Sequence, residues 1–248
     1  MKFNPMRYRI PLLKRAVPSL KKRLAQMAST NGFQLKKAQG AVFLLRSSNY
    51  VDRQIAFYDD YEHRQLGRLL TAMRQSGCDL FIDVGANIGF YTVVVGRSGA
   101  AAEIIAFEPD QRNRLQLGAN LLLNHLTGIV TIRPEAVTSR SGTIGFRPSP
   151  DTSTGQSAVG SGEGSITVPA VALDDVVASD DRRIFIKIDI EGHELEAIRG
   201  MPALLQHNRI FLQVECFDAN LVRLAETMAA MGLRQRDKIE NDYFFANF

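Results

Sequence analysis

Acids and glycines gather in two short strings of this sequence at spacings that suit ligand chemistry. In Phe81-Ile-Asp83-Val-Gly85-Ala-Asn87-Ile-Gly89-Phe90 an apolar run leads into a glycine-bearing turn that opens a helix. Gly85 permits the tight turn, and Gly89 allows close helix–strand packing or close approach of a ligand. Amides at such a helix start favour an anion. A dinucleotide site would carry Gly-x-Gly-x-x-Gly, but Asn87 stands where the second glycine would admit a pyrophosphate. Asp83 is equally awkward beside a pyrophosphate and suits a ligand bearing both an ammonium and a carboxylate.

Glu108 ends the next apolar run, Ile104-Ile-Ala-Phe-Glu108-Pro109, 23 residues after Gly85. A carboxylate there accepts both hydroxyls of a ribose. Glu135, in Pro134-Glu135-Ala136-Val137, follows the third run, where an adenine would lie. Asp83, Gly85, Asn87, Gly89, Glu108 and Glu135 thus describe a cofactor with an amino acid at one end and an adenosine at the other, S-adenosyl-L-methionine.

The second string is Ile184-Phe-Ile-Lys187-Ile-Asp189-Ile-Glu191-Gly192-His193-Glu194. If the strand continues to Glu191, Asp189 and Glu191 project to one side at period two, at the carboxyl edge where open α/β sheets bind ligands. Helix capping by these acids is the plainer alternative.

Such residues need a sheet to bring them together. Apolar runs at 79–84, 103–108, 129–133, 184–190 and 209–215 alternate with helical stretches at about 88–98, 110–123, 193–206 and 219–231. That order predicts right-handed crossovers and a mainly parallel sheet covered on both faces. Two closing runs, 233–237 and 242–248, read as an antiparallel pair at its edge. Residues 33–37 and 41–46 read as a hairpin, 58–75 as a helix, and the Ser/Gly/Thr-rich 148–164 as a mobile loop over the site.

Charge is unevenly spread. Residues 1–51 hold eleven Lys/Arg and no acid, leaving 19 basic against 26 acidic residues beyond them. The net charge of +4 therefore describes neither part and does not point to nucleic acid. Leu13, Val17, Leu20, Leu24 and Met27 recur at helical spacing among the basic residues, a pattern suited to a helix packed on the catalytic domain as a lid with solvated lysines, or else to peripheral contact of residues 1–30 with an anionic membrane surface. No span or secretory signal is apparent, and Cys78 and Cys216, far apart in apolar runs, read as buried reduced thiols of a cytoplasmic protein.

On Ile82-Asp83-Val-Gly85-Ala-Asn87-Ile-Gly89, Ala106-Phe-Glu108-Pro109, Val168-Pro-Ala-Val-Ala-Leu173-Asp174-Asp175, Lys187-Ile-Asp189-Ile-Glu191-Gly192-His193-Glu194 and Gln213-Val-Glu215, the chain resembles the FkbM family of S-adenosylmethionine-dependent O-methyltransferases. Similarity is weaker around Tyr61-Glu62. The resemblance implies a class I methyltransferase (Rossmann-like) α/β fold: a seven-stranded, mainly parallel sheet with a C-terminal antiparallel hairpin and helices on both faces. It would occupy residues 51–248, after a basic extension over 1–50. The resemblance further implies methylation of a hydroxyl, on a sugar of a glycan, glycolipid or lipo-oligosaccharide such as a fucosylated nodulation factor, or else on a polyketide or other small molecule. A sugar hydroxyl is a poor nucleophile that benefits from a positioned base, and Asp189, Glu191 and His193 are the candidates by location. Glu215 is a further acceptor contact. No transition-metal cluster is visible, although Asp189 with Glu191 or Glu215 would offer oxygen ligands to a divalent ion. A nucleotide-dependent dehydrogenase or a non-catalytic nucleotide-binding module is the rival class, and Asn87 and the Asp189/Glu191 pair speak against it.

Overall fold

The computed structural model describes residues 32–58, 60–217 and 220–248; the basic amphipathic segment expected over residues 1–30 lies outside them. Its framework is a seven-stranded sheet of β3 (Leu80–Val84), β4 (Glu103–Phe107), β5 (Val130–Arg133), β10 (Arg183–Ile188), β11 (Arg209–Glu215), β12 (Arg234–Ile239) and β13 (Asp242–Ala246). The strands lie in the order β12-β13-β11-β10-β3-β4-β5. Neighbours from β11 to β5 are parallel, while β13 runs antiparallel to β11 and β12 antiparallel to β13.

Period-two alternation sends two apolar sets to opposite faces. Phe81, Phe185, Phe211 and Phe244 belong to one buried cluster, and Leu80, Ile82, Ile186 and Leu212 to the other. A strand buried on both sides must be apolar throughout, which is why these runs were legible. On the phenylalanine face pack α1 (Tyr50–Phe57), α2 (His63–Ser76), α3 (Phe90–Ser98) and α4 (Gln111–Leu123); on the other pack α5 (Leu173–Val176), α6 (Glu194–Arg199), α7 (Pro202–His207) and α8 (Leu221–Ala230). Helix α1, absent from the sequence reading, starts at Asn49, whose side chain accepts from the amides of Val51 and Asp52. The single helix expected over 193–206 is two, because Pro202 begins a new helix and a Cβ on Gly200 would lie 2.2 Å from the Thr138 carbonyl.

The hairpin of β1 (Phe33–Ala38) and β2 (Ala41–Arg46) turns through Gln39 and Gly40, both at positive φ. Its Phe43 and Leu45 are fully buried in the phenylalanine-face cluster. Polar side chains at i, i+4 and i+8 along α4 and its C-cap hold it there. Gln116 donates to the Leu44 carbonyl, Asn120 accepts from the Leu44 amide at 2.7 Å, and Asn124 bonds both amide and carbonyl of Val42.

A second, four-stranded sheet was not foreseen. It contains β6 (Ala136–Val137), β7 (Gly142–Arg147), β8 (Ala158–Val159) and β9 (Ile166–Val171) in the order β6-β9-β7-β8. The stretch read as a loop, 148–164, connects its strands and carries both β8 and a short 3-10 turn at Thr154–Gln156. Cys78 and Cys216 are both buried. Among the described residues no helix is long and apolar enough to cross a membrane.

Candidate active site

At the carboxyl ends of β3, β4 and β10 lies a cleft of about 850 Å³, open to solvent at its mouth. Asp83, Gly85, Asn87, Glu108 and Glu135 line one part, and Asp189 and Glu191 another.

The turn after β3 is built around close approaches. Gly85 has φ +82, and a Cβ there would lie 2.0 Å from the Asp189 carbonyl oxygen, so only glycine fits. Gly89, at φ +86, makes room for Leu117 of α4 rather than for a ligand. The amides before α3 are engaged internally: Gly85 and Ala86 donate to the Phe107 carbonyl and Asn87 to Glu108 Oε2. Within the first turn of α3, the Thr92 amide donates to Asp83 Oδ2 at 3.0 Å and the Thr92 hydroxyl donates to it at 2.6 Å. The anion expected at this helix start is thus the protein's own carboxylate. Asp83 is 1% exposed, its Oδ1 has no partner, and burial pushes its carboxyl up. An orphaned carboxylate oxygen facing a cleft calls for a cation or a donor.

Glu108, 5% exposed, accepts the Asn87 amide on one oxygen and the Asp110 amide on the other, both at 2.8 Å. Its remaining lone pairs can take the two hydroxyls of a ribose. Glu135 is tied to Arg133 through two hydrogen bonds, at 3.0 and 2.7 Å, and this partner holds its carboxyl below the usual range. The turn at 154–156 closes over this end. Asn49 Nδ2 donates to Thr154 Oγ1 at 2.6 Å, and Asp151 bridges Arg46 and Arg112 at 3.1 and 2.7 Å.

At the other end stands Lys187, a buried lysine in the middle of the sheet that was not singled out from the sequence. Its Nζ lies 2.8 Å from Asp189 Oδ2 and 4.5 Å from the Tyr91 ring centre. Burial opposes its charge, but Asp189, Glu62 and Asp83 hold it protonated. Burial likewise opposes ionisation of Asp189, and Lys187 with a hydrogen bond from Glu215 outweighs it, drawing Asp189 below its ordinary value. Glu215 is pushed up by burial and by Asp189, so it carries the proton the pair shares. The signal for Lys187 was a cation enclosed within the apolar run 184–188 of a central strand.

Two expectations are corrected. Strand β10 ends at Ile188, and Glu191 sits on a turn at φ +54, so Asp189 and Glu191 do not share a strand face. Glu191 is exposed at the cleft mouth. His193 precedes α6, is absent from the cleft lining and has Nε2 2.9 Å from Thr138 Oγ1; it is half-buried, and that burial lowers its proton affinity. Among the described residues no group of three or more His, Cys, Asp or Glu is placed to hold a metal ion.

A mainly parallel sheet with an acid-and-glycine cleft at its carboxyl edge defines a nucleotide-type cofactor-binding α/β domain. Residues 83–234 match the Methyltransferase FkbM domain, and the chain belongs to that family. The cofactor of the domain is S-adenosylmethionine, and Asp83 and Glu108 fit its ammonium and ribose. Among characterised proteins, the chain is similar to the hexuronic acid methyltransferase AglP of Haloferax volcanii, 35% identical over 130 residues. The match covers 52% of each, so the chain spans about half the length of this relative. Among solved structures, a SAM-dependent methyltransferase from Agrobacterium tumefaciens superimposes with a TM-score of 0.52 at 9% identity, over 88% of this chain and 70% of that one. A human methyltransferase 10 domain containing protein does so with a TM-score of 0.50 at 12% identity, over 94% of both. These two likenesses concern the fold alone.

Proposed function

We propose that the protein transfers the methyl group of S-adenosylmethionine to a hydroxyl of a sugar in a glycan, glycolipid or lipo-oligosaccharide. The observation that carries this reading is one continuous cleft with two chemically different ends. At one end Asp83 offers its unpartnered oxygen to the methionine ammonium and Glu108 accepts the ribose hydroxyls. At the other, Asp189, Glu191 and Lys187 surround the space left for the acceptor. When bound, the cofactor supplies an electrophilic methyl; the chain's own residues supply orientation, exclusion of water and somewhere for the acceptor proton to go. In-line transfer needs the acceptor oxygen held about 3–3.5 Å from that methyl. The relative named for a hexuronic acid favours a sugar over an apolar aglycone.

The test is transfer of radiolabelled methyl from S-adenosylmethionine to a panel of oligosaccharides, hexuronic-acid-terminated ones included, run beside a panel of small aromatic and polyketide alcohols. Label in a glycan, stable to mild alkali as an ether is and an ester is not, supports the reading. Label only in the small-molecule panel, or none despite cofactor binding, sinks it.

A further inference from the structure

Methyl transfer to a hydroxyl forms a C–O bond and breaks the C–S bond, whose electron pair neutralises the sulfonium; the hydroxyl proton must leave to a base. We propose that this base is Glu62, carried into the cleft by the turn before α2, with the Lys187–Asp189 ion pair beside it as its positioning element. The inference rests on the methyltransferase reading above and deepens it.

The carboxylates lining the cleft differ in what they are free to do. Asp83 is committed to Thr92 and lies opposite Lys187 in the strand register, one strand over; its partnerless oxygen is taken by the cofactor ammonium. Asp189 has one oxygen in the ion pair with Lys187 and receives a hydrogen bond from Glu215, and the two interactions depress its affinity for a proton. A carboxylate so held is a poor proton acceptor. Glu191 is exposed on its turn, where water competes for it.

Glu62 is different. It lines the cleft together with Tyr61 and Tyr91, whose hydroxyls favour its ionised form. It occupies the N-cap position of α2 with φ 47 and ψ 21, a left-handed backbone unfavourable for glutamate, yet its side chain makes no cap hydrogen bond. The chain therefore accepts strain and forgoes a cap at a residue whose carboxylate lies in the cleft. The charged and titratable groups around it are Tyr61 on its own segment, Tyr91 on α3, Lys187 and Asp189 at the tip of β10, and Asp242 on β13. Burial is the largest influence and raises its proton affinity; Lys187 pulls the other way and Asp189 adds to the rise. The outcome is a carboxylate more basic than Asp189 and better shielded than Glu191. It also has two phenol hydroxyls as neighbours in the cleft, groups able to orient a carboxylate for general-base work.

The test uses the full chain with S-adenosylmethionine and a glycan the wild type methylates. Glu62→Gln is expected to lower kcat by about 100-fold or more, with KM for the acceptor and calorimetric Kd for the cofactor changed less than about threefold. The acid limb of the wild-type kcat profile should disappear in Glu62→Gln and survive, displaced, in Glu62→Asp, which keeps a carboxylate. Glu62→Asp also supplies the readout if Glu62→Gln does not fold. The inference is overturned by near-normal kcat in Glu62→Gln, or by loss of cofactor affinity that would make Glu62 a cofactor ligand. It is equally overturned if Asp189→Asn, and not Glu62→Gln, abolishes the acid limb. A wild type that methylates no glycan overturns the functional reading together with this inference, whereas normal wild-type turnover beside an active Glu62→Gln overturns the inference alone.

Discussion

Glu108 should make cofactor affinity depend on pH in the neutral range. Burial is the main influence on this carboxyl and, against the amides of Asp110 and Asn87, pushes it from the ordinary 4.5 up to about 7. On the proposed reading the ionised form would accept two ribose hydroxyls, whereas a protonated one would give up an acceptor site and place a hydrogen against a donor. If only the carboxylate binds, apparent Kd rises about tenfold between pH 8 and pH 6, or ~1.4 kcal/mol. The assay is calorimetric titration across that range with S-adenosylhomocysteine and with 5′-methylthioadenosine, which keeps the ribose but lacks the amino acid and so reports Glu108 without Asp83. Stability of the free protein should slope the other way. A carboxyl whose folded pKa exceeds its unfolded one binds a proton on folding, so its contribution is fully present below about pH 4.5 and lost as pH rises through about 7. Flat affinity for methylthioadenosine, or a slope that persists in Glu108→Gln, would refute this account of the ribose site.

Gly85→Ala places a Cβ at φ +82 and 2.0 Å from the Asp189 carbonyl, so it should destabilise the fold by about 2–3 kcal/mol and weaken cofactor binding; an unchanged melting curve contradicts the packing described. Lys187→Met strands Asp189, Glu62 and Asp83 without their cation and should cost about 3–5 kcal/mol. That loss should shrink as pH falls and the carboxylates protonate; a loss that grows in acid would refute the pairing. Asp151→Ala unclasps the turn at 154–156 from Arg46 and Arg112. It should leave the melting temperature nearly unchanged while raising the off-rate of S-adenosylhomocysteine in stopped-flow, and an unaltered off-rate would show that the clasp does not retain the cofactor.

The seven main strands were legible because most are buried on both faces and so read as unbroken apolar runs. Strands β7 and β9 were not: β7 buries only Phe146, β9 buries Val168, Ala170 and Val171 between exposed positions, and glycines and serines interrupt the pattern around them. The apolar run at 184–190 overshoots the end of β10 by two residues. Its apolar–polar alternation continues through Glu191, but pairing stops where β3 turns away at Gly85 and the Asp189 amide makes its bond to the Val84 carbonyl. Among site residues, Asp83 and Glu108 could be found from position alone, as acids at the ends of consecutive strands. Lys187 and Glu62 could not, because their roles depend on neighbours far away in the chain: Lys187 over the Tyr91 ring, and Glu62 beside Asp189.

Gly85 and Asp189 meet backbone to backbone, and the Asp189 amide is also bonded to the Val84 carbonyl at 3.1 Å. The two halves of the reaction are therefore indexed to each other by main chain, like jaws machined from one block. Side-chain change at the mouth leaves that spacing untouched. Acceptor choice is consequently free to drift in exposed side chains at the mouth, such as Glu191, while the separation of donor and acceptor stays constant. A domain built this way can be retargeted at its rim, and exchanging mouth side chains between relatives, with Glu62 and Asp189 kept, should change which molecule is methylated without having to rebuild the geometry of transfer.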